Sequence, residues 1–407
     1  MDAIRWLESL REQGMKLGLE NTSELLSRLG DPQNKFPSIH VAGSNGKGTI
    51  CSILANTFTL NNIKTGLFTS PHLCNIEERI RINGIQILES EFVKEIEKLH
   101  LICEMKPKIT PTFYEATFII AMMYFASSKI ERAIIETGLG GRLDATRLVN
   151  ADCCILTQIS LEHTEILGDT LLEIATEKAA IARQGVPLIS KWNDDKQVRK
   201  IIESSVSSSK LIEWYRSTEN ENFRDEATGL ANLALSKMNN SMECMDGAKV
   251  TFWPGRMQKV LTQEGSNILL DCAHNPSGLS RAISEISNNN IGVKKIIFGC
   301  TKQTNLDAFL QPLILFVKNF RIEEIILTEP QKGRTKAVST NFLFQKLSKL
   351  LPDTKITEFP EPFEAIERGT KELNKGTLLC IGSLYLIGNV LKILNLDNRD
   401  SMNIFRK

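Results

Sequence analysis

Short apolar runs alternate with amphipathic segments up to residue 191 of the chain. The runs rich in Ile, Val and Leu predict buried strands, whereas apolar residues spaced three and four apart predict helices. Such an alternation favours an α/β domain with a mostly parallel sheet and a ligand site at the carboxyl ends of its strands. Alternation around Asn83-Gly84 predicts a hairpin. The predicted strands are 38–42, 64–69, 132–136 and 153–159, and the predicted helices are 50–60, 91–103, 114–127 and 171–183.

The pattern weakens after Lys191 and becomes clear again beyond residue 254. Residues 213–250 show little strand pattern, and the turn-forming stretch Trp253-Pro254-Gly255-Arg256 predicts a domain junction. We therefore predict two domains, residues 1–253 and residues 254–407, of which the second is a smaller α/β unit. Its predicted strands are 267–271, 295–299, 324–328 and 377–382.

Length, charge and cysteine usage narrow the class of protein. A chain of 407 residues is too long for one ordinary core. Its formal net charge of +1 gives no electrostatic reason to expect nucleic acid or an acidic membrane surface as a partner. The longest apolar run, 117–126, is about half of a membrane span. Nine cysteines without a Cys-x-x-Cys pair favour buried, reduced thiols in a cytoplasmic protein.

A glycine-rich segment, 43–49, follows the first predicted strand and precedes the first strongly predicted helix. A turn of this kind presents backbone N–H groups and the positive end of a helix to an anion. Lys47 adds a mobile positive charge, and the Thr49 hydroxyl is suited to bind Mg²⁺. The segment has one glycine more than the commonest P-loop, and it predicts phosphate binding.

Three further polar residues each follow an apparent strand. They are Ser70, Glu136 and His163. Because the carboxyl ends of parallel strands meet at one edge of a sheet, these side chains are candidates for binding a metal beside the phosphates.

The chain holds few histidines, so each can be weighed separately. His72, His163 and His274 lie in predicted loops beside other polar residues, where either a structural or a functional role is possible. A structural role is expected for His40, which opens the first strand, and for His100, which lies on a polar helix face.

Eight sequence segments, in order, match one known family. The chain resembles the folylpolyglutamate synthase and dihydrofolate synthase enzymes of the Mur ligase superfamily, nearly from end to end. The segments are LGLE with LGDPQ (17–20 and 29–33), SPHL with ERIR (70–73 and 78–81), TFYEA (112–116), ETGLGGRLDAT (136–146), LEHT with EKA (161–164 and 177–179), PGR (254–256), DCAHNP (271–276) and GSLY (382–385).

The resemblance implies a P-loop domain of the Mur ligase type with a mostly parallel sheet, followed by a smaller Rossmann-like α/β domain. In that family the loop binds ATP phosphates, which here implies Asn45, Gly46, Lys47, Gly48 and Thr49. It also implies that Mg²⁺ is bound by Thr49, Ser70, Glu136, His163 and Lys178.

Lys178 matches the lysine that this superfamily carbamylates. The reaction turns a cation into a carboxylate-like ligand beside the metal, and it requires the neutral amine, whose pKa of ~10.4 must therefore fall. The alternative is a surface lysine paired with Glu177 or Glu173.

The remaining roles concern the substrates. The resemblance implies ATP contacts by Arg256 and Asp271 from the second domain, and Asn232 is the candidate for an ATP-contacting asparagine. It implies glutamate handling by His274 and Ser383. Segments that hold dihydropteroate in bifunctional members match Lys16, Leu17 and Gly18; Thr112, Phe113, Tyr114 and Glu115; and Arg142, Leu143, Asp144 and Ala145.

Several positions depart from the family pattern. Ser44 replaces a threonine, Lys16 replaces an acid found in some bifunctional members, and residues 213–250 form a shorter stretch than is common.

The resemblance implies an ATP-dependent ligase that joins L-glutamate to dihydropteroate or a folate through an acyl phosphate. ATP is the co-substrate and Mg²⁺ the cofactor, a monomer is expected, and Lys47, His163, Lys178 and His274 are the expected catalytic residues. The nearer alternative is another Mur-type ligase, against which segments 112–116 and 136–146 argue. The farther alternative is a P-loop nucleotide switch or nucleic-acid motor, against which the near-zero net charge argues. The choice between dihydropteroate, tetrahydrofolate or both stays open.

Overall fold

The chain folds into two compact units. The first comprises the residues up to His72, Ile76–Phe252 and the residues from Asn403 onward, and the second comprises Leu73–Asn75 and Trp253–Met402. The computed structural model describes residues 2–14, 18–218, 221–262, 265–333, 335–371, 373 and 376–406.

An eight-stranded sheet forms the centre of the first unit. Its order is β4-β3-β2-β5-β1-β6-β7-β8. Strands β3 and β4 form a hairpin, and β3 pairs with β2 in antiparallel orientation. The other six strands, β2, β5, β1, β6, β7 and β8, run parallel to one another. The strands are β1 Ser38–Ala42, β2 Thr65–Phe68, β3 Ile80–Ile82, β4 Ile85–Gln86, β5 Arg132–Glu136, β6 Ala151–Leu156, β7 Leu188–Lys191 and β8 Ile212–Tyr215.

Helices cover this sheet, and two of them are almost entirely buried. The helices are α1 Ala3–Ser9, α2 Glu20–Arg28, α3 Lys47–Leu60, α4 Glu89–Glu104, α5 Phe113–Ser127, α6 Thr164–Leu167, α7 Leu171–Ala179, α8 Lys196–Ser204, α9 Phe223–Lys237 and α10 Cys244–Val250. Helices α3 and α5 are apolar on nearly every side, as expected of helices enclosed by a core. The start of α3 therefore has a rigid support.

A six-stranded sheet forms the second unit, in the order β13-β12-β11-β14-β10-β9 with only β9 antiparallel. Alternate residues of β10 enter different cores, Leu269 on one face and Ile268 and Leu270 on the other, so helices cover both faces. Its elements are β9 Gln258–Leu261, β10 Asn267–Asp271, α11 Pro276–Asn288, β11 Val293–Phe298, α12 Leu306–Asn319, β12 Glu324–Leu327, α13 Thr340–Leu350, β13 Ile356–Glu358, α14 Pro362–Thr370, β14 Thr377–Ile381 and α15 Leu384–Ile393.

The predicted fold class is confirmed, and several element bounds differ. The strand predicted at 153–159 ends at Leu156, and the helix predicted at 171–183 ends at Ala179. Strand β8 was not predicted, because its sequence Ile-Glu-Trp-Tyr is short, half-buried and lies at the sheet edge. Within the described residues, no helix combines the length and the apolar character that crossing a bilayer requires.

Close packing of α10 on α3 leads to a prediction about Gly247. A Cβ atom on Gly247 would lie 2.0 Å from Thr57 Oγ1 and 3.0 Å from Thr57 Cα. Gly247→Ala should therefore destabilise the fold by ~1–3 kcal/mol in urea denaturation, although helix propensity alone favours alanine. Gly292→Ala is the control, since a Cβ there meets nothing within 4 Å. A Gly247→Ala protein as stable as wild type contradicts the prediction.

Candidate active site

Four neighbouring parallel strands bring the glycine-rich loop and the predicted metal ligands Ser70, Glu136 and His163 to one sheet edge. Strands β2, β5, β1 and β6 lie side by side in that order. Ser70 follows β2, Glu136 ends β5, the glycine-rich loop follows β1, and His163 follows β6. These residues therefore share the edge at which open α/β sheets bind ligands.

The glycine-rich loop is fastened to the segment that follows β6. The Ser44 N–H donates to the Gln158 carbonyl at 2.7 Å, and the Ser160 N–H donates to Ser44 Oγ at 3.0 Å. Gly43 has a φ of +138°, and a Cβ there would lie 1.9 Å from Thr157 Oγ1. The close approach thus requires glycine, and the loop and the segment before His163 form one structural piece.

Helix α3 begins directly at the predicted phosphate loop. Gly46 precedes it with a φ of +89°, and Lys47, Gly48 and Thr49 form its first turn. The backbone N–H groups of a first helical turn have no partner within the helix, so they are available to an anion. Lys47 Nζ donates to the carbonyls of Gly43 and Ser44, at 2.9 and 3.3 Å. Asn45 and the residues up to Thr49 are half-buried.

Lys178 lies beside Lys47. Its side chain is only 2% exposed, and its Nζ lies 2.7 Å from Glu162 Oε1 and 3.1 Å from the Gly43 carbonyl, which also accepts from Lys47. Burial lowers the pKa of Lys178, Lys47 adds to this, and Glu162 opposes it. Burial raises the pKa of Glu162, but the Lys178 and Lys47 ammoniums outweigh it and lower that pKa to about 2. One carboxylate therefore serves two ammonium groups.

The alternative pairing of Lys178 at the surface is wrong. Glu177 pairs with Arg142 at 2.8 Å, and Glu173 caps the start of α7 through Thr170. Glu162, which the sequence analysis assigned no role, is the partner instead. A buried lysine requires a counter-charge, so the acid beside His163 was the available signal.

Ser70 and Glu136 form a group of oxygen atoms suited to Mg²⁺. The Ser70 N–H donates to Glu136 Oε2 at 3.1 Å, and Ser70 Oγ is buried without a hydrogen-bond partner in the described part of the chain. Hydroxyl and carboxylate oxygens are the donors that Mg²⁺ prefers, and it is commonly held by few protein ligands together with substrate phosphates. The described residues contain no cluster of three or more His, Cys, Asp or Glu side chains suited to a metal.

His163 shows no contact with Ser70 or Glu136 among the hydrogen bonds described above, and its own surroundings bear on metal binding. It precedes α6 with a φ of +47° and is solvent-exposed as a whole residue. Partial burial of its ring lowers its pKa, as do Lys178 and Lys47, while Glu162 raises it. A lowered pKa favours the neutral imidazole, the form that binds metals.

Two of the three segments predicted to hold dihydropteroate, 112–115 and 142–145, meet directly. Tyr114 Oη donates to Asp144 Oδ1 at 3.1 Å, and a Cβ on Gly138 would lie 2.4 Å from the Tyr114 ring. Asp144 Oδ2 accepts from the N–H groups of Gly138 and Leu139, at 2.9 and 2.8 Å. Tyr114, Asp144 and the glycine turn after β5, residues 138–141, therefore form one connected group, which we call the wall.

Other residues of segment 112–115 secure the start of α5. Thr112 and Glu115 cap the helix reciprocally, and Glu115 also accepts from Thr22 Oγ1 at 2.9 Å. Phe113 is buried under the guanidinium of Arg11, 3.8 Å from its ring centroid. A direct substrate contact by these side chains stays a prediction.

The remaining acid-site predictions vary in placement. Arg142 is exposed, Leu143 and Gly18 are half-buried, and Ala145 is buried. Lys16 and Leu17 lie outside the described residues.

Electrostatic interactions connect the phosphate, metal and acid groups of the first unit. Burial raises the pKa of Tyr114, and the Asp144 and Glu136 carboxylates raise it further. The Asp144 carboxylate also acts on the pKa of Lys178. Glu136 precedes Gly138 by two positions, and the Arg142 N–H donates to the Glu177 carbonyl at 3.0 Å, which joins this turn to α7, the helix of Lys178.

Three of the four predicted residues of the second unit lie at the ends of two adjacent strands: Asp271 ends β10, His274 follows it, and Ser383 follows β14. The fourth, Arg256, precedes β9. Asp271 is buried and accepts from the Met257 N–H at 3.0 Å; burial raises its pKa, and Arg256 lowers it. Arg256 and His274 are exposed, and His274 Nδ1 lies 2.8 Å from the Cys272 carbonyl. Ser383 is buried and caps α15.

Asn232 lies on α9 and is half-buried. Its Oδ1 accepts from the N–H of Cys244 at 2.7 Å, at the start of α10. The amide oxygen is therefore used within the fold, and an ATP contact stays a prediction for the Nδ2 group.

Two domain families match the chain. The Mur ligase middle domain matches residues 41–247, and the glutamate ligase domain of Mur ligases matches residues 255–384. The dihydrofolate synthase/folylpolyglutamate synthase of Bacillus subtilis is 31% identical over 327 residues, which cover 69% of this chain and 74% of that protein.

Solved structures share the fold. Escherichia coli FolC in complex with DHPP and ADP aligns with a TM-score of 0.83 at 23% identity, covering 97% of this chain and 98% of that one. A bifunctional folylpolyglutamate synthase/dihydrofolate synthase with Mn, AMPPNP and L-glutamate bound aligns with a TM-score of 0.82 at 24% identity, again over 97% and 98%. The segments shared in sequence and the two matching domains agree: the chain belongs to the dihydrofolate synthase/folylpolyglutamate synthase family of Mur ligases.

Proposed function

We propose that this enzyme uses ATP to join L-glutamate to dihydropteroate, and that it also extends folates. Family membership makes it an ATP-dependent, amide-bond-forming ligase. Residues 1–253 would bind ATP and the acid, and residues 254–407 would handle glutamate and complete the ATP site.

The observation that supports this acid best is the Tyr114–Asp144 hydrogen bond of 3.1 Å. It joins two of the three sequence segments that match dihydropteroate-binding segments of the family. The Arg142 N–H further joins one of them to α7, the helix of Lys178, at 3.0 Å from the Glu177 carbonyl. An acid held against this wall would present its carboxylate towards the phosphate loop. A relative named dihydrofolate synthase, after the product that dihydropteroate and glutamate would give, supports the same choice.

The reaction has two steps. A carboxylate oxygen of the acid attacks the γ-phosphorus of ATP, which gives an acyl phosphate and ADP. The glutamate amine then attacks the acyl carbon, which gives the amide and inorganic phosphate with release of a proton. No side-chain nucleophile takes part, so the protein orients the reactants and offsets their charge.

The first-unit residues would act on the phosphates. The N–H groups from Asn45 to Thr49 would donate hydrogen bonds to the phosphate oxygens. Lys47 would leave the carbonyls of Gly43 and Ser44 and pair with a phosphate, a stronger charge-assisted contact.

Thr49, Ser70, Glu136 and His163 would hold Mg²⁺, with Lys178 as a further ligand once it is carbamylated. The buried, unpartnered Ser70 hydroxyl beside Glu136 supports this set. Bound Mg²⁺ would offset charge on the transferring phosphoryl group.

In the second unit, Arg256 would contact the ATP phosphates and Asp271 the ribose, with Asn232 as a further ATP contact from the first unit. His274 and Ser383 would handle glutamate. The exposed Arg256 guanidinium suits phosphate binding, because Arg presents several fixed N–H donors.

We further propose a cytoplasmic monomer whose partners are these small molecules, with neither nucleic acid nor membrane among them. The described cysteines are all free, and most are buried, which fits a reducing compartment. The monomeric state rests on the resemblance alone.

Phosphate release by the purified protein tests the substrate assignment. With ATP and Mg²⁺, release should require both L-glutamate and a pterin acid, and dihydropteroate should be a substrate. Release with neither acid nor glutamate contradicts a ligase. Extension of tetrahydrofolate with no reaction of dihydropteroate contradicts the acid proposed here.

Glu136→Gln tests the metal site. The amide keeps the shape and can still accept from Ser70 but removes the charge, so kcat should fall at least about a hundredfold. Glu95→Gln is the control, because Glu95 is also buried in the first unit but pairs with Lys98 on α4. A Glu136→Gln enzyme of normal activity, over a titration of Mg²⁺, rules out the assignment.

Lys178→Ala tests the carbamate. The variant should be nearly inactive, and short-chain carboxylic acids should partly restore it by replacing the lost carboxylate. Lys237→Ala serves as the control, since Lys237 pairs with Glu213 at the surface of the same unit. Full activity of Lys178→Ala, or a high-resolution map of active protein in bicarbonate with an unmodified amine at this position, argues against carbamylation.

A further inference from the structure

A buried chain of hydrogen bonds leads from the first strand to the wall that contains Tyr114 and Asp144. His40 lies in β1 and is fully buried. Its Nε2 lies 2.9 Å from Thr146 Oγ1, and its Nδ1 lies 3.2 Å from Arg183 Nη1. Thr146 Oγ1 in turn forms a short hydrogen bond with Asp144 Oδ1.

The partners fix the direction of every bond in this chain. A guanidinium can only donate, so His40 Nδ1 accepts and the ring proton is on Nε2. Nε2 therefore donates to Thr146 Oγ1, which leaves the threonine proton for Asp144. Burial lowers the pKa of His40, and Arg183 and Arg147 lower it further, which agrees with a neutral ring.

Asp144 accepts more hydrogen bonds than any other residue of this chain of bonds. Its carboxylate accepts from the Thr146 hydroxyl, from Tyr114 Oη, and from the N–H groups of Thr146, Gly138 and Leu139. Five donors bind the two oxygens of this carboxylate, which therefore holds the Tyr114 ring and the glycine turn in place.

Arg183 secures the opposite end. Its Nη2 donates to the carbonyls of Arg147 and Val149 at 2.9 and 3.2 Å, and its Nη1 donates to the Ile181 carbonyl at 2.9 Å. The segment after β5 is thus held between β1 and the residues that follow α7. His40 precedes Gly43 by three positions, so the same strand supports the phosphate loop and the wall.

We propose that His40 and Thr146 are positioning residues for the acid substrate. They touch neither ATP nor acid, but they orient Asp144, which places Tyr114 and the Gly138–Leu139 backbone for the ring-bearing end of the acid. The inference rests on the proposed function, because it takes this wall to be the acid site.

Thr146→Val removes the hydroxyl at nearly constant shape and leaves both partners in place. KM for dihydropteroate should rise about tenfold or more, because two buried groups lose their hydrogen bonds. KM for ATP should stay within about twofold, and Thr146→Ser should behave as wild type. Thr65→Val is the matched control, since it is equally buried in the same unit and its hydroxyl binds the Ile63 carbonyl.

Amide hydrogen exchange gives a second readout that does not depend on turnover. In Thr146→Val, exchange should become faster in residues 137–149 and stay unchanged in residues 43–49. If Thr146→Val does not fold, His40→Asn tests the same bond from its other end, with the same expected shift.

An unchanged KM for the acid, or an equal rise for acid and ATP, overturns the inference. A wild-type enzyme that does not use dihydropteroate or a folate refutes the proposed function instead. In that case the exchange experiment still decides whether His40 and Thr146 order the wall.

Discussion

Gly43 is the backbone position on which the active-site edge of the first unit depends. Its α-carbon faces Thr157 so closely that no side chain fits, and its carbonyl accepts from both Lys47 and Lys178. One residue therefore allows the segments after β1 and β6 to approach closely, and its carbonyl accepts from two cations. The phosphate loop, the loop before His163 and the α7 lysine are positioned together as a result.

Positive charge exceeds negative charge around the Gly43 carbonyl. Two ammonium groups share that carbonyl, and Glu162 pairs with one of them, Lys178. The ammonium groups of Lys47 and Lys178 repel each other, and low solvent exposure strengthens the repulsion. A polyphosphate would relieve the repulsion, because Lys47 could pair with one of its oxygen anions. This arrangement of charges favours an anion beside Lys47.

The sequence was sufficient for the fold class, because strands such as β1 and β5 are short, mostly apolar runs between clear helices. It was insufficient for other short strands. Strand β7 lies inside the sheet but has only four residues, and the edge strands β8 and β13 are half-buried and give no apolar run. The glycine-rich loop and Glu136 were recognisable because each directly follows a strand. Glu162 and Thr146 were not, since their importance depends on contacts with residues distant in the chain, Lys178 and His40.

The last described residues of the chain belong to the first unit and have a consequence for biosynthesis. Ile404 is fully buried there, and its carbonyl accepts from the Phe252 N–H and from Asn56 Nδ2, both at 2.9 Å. A ribosome makes these residues only after all of Trp253–Met402. Domains generally fold as units while the chain is synthesised, but here the first unit cannot be completed until the second has left the ribosome. Until then, Asn56 of α3 lacks the Ile404 carbonyl to which it donates in the finished protein.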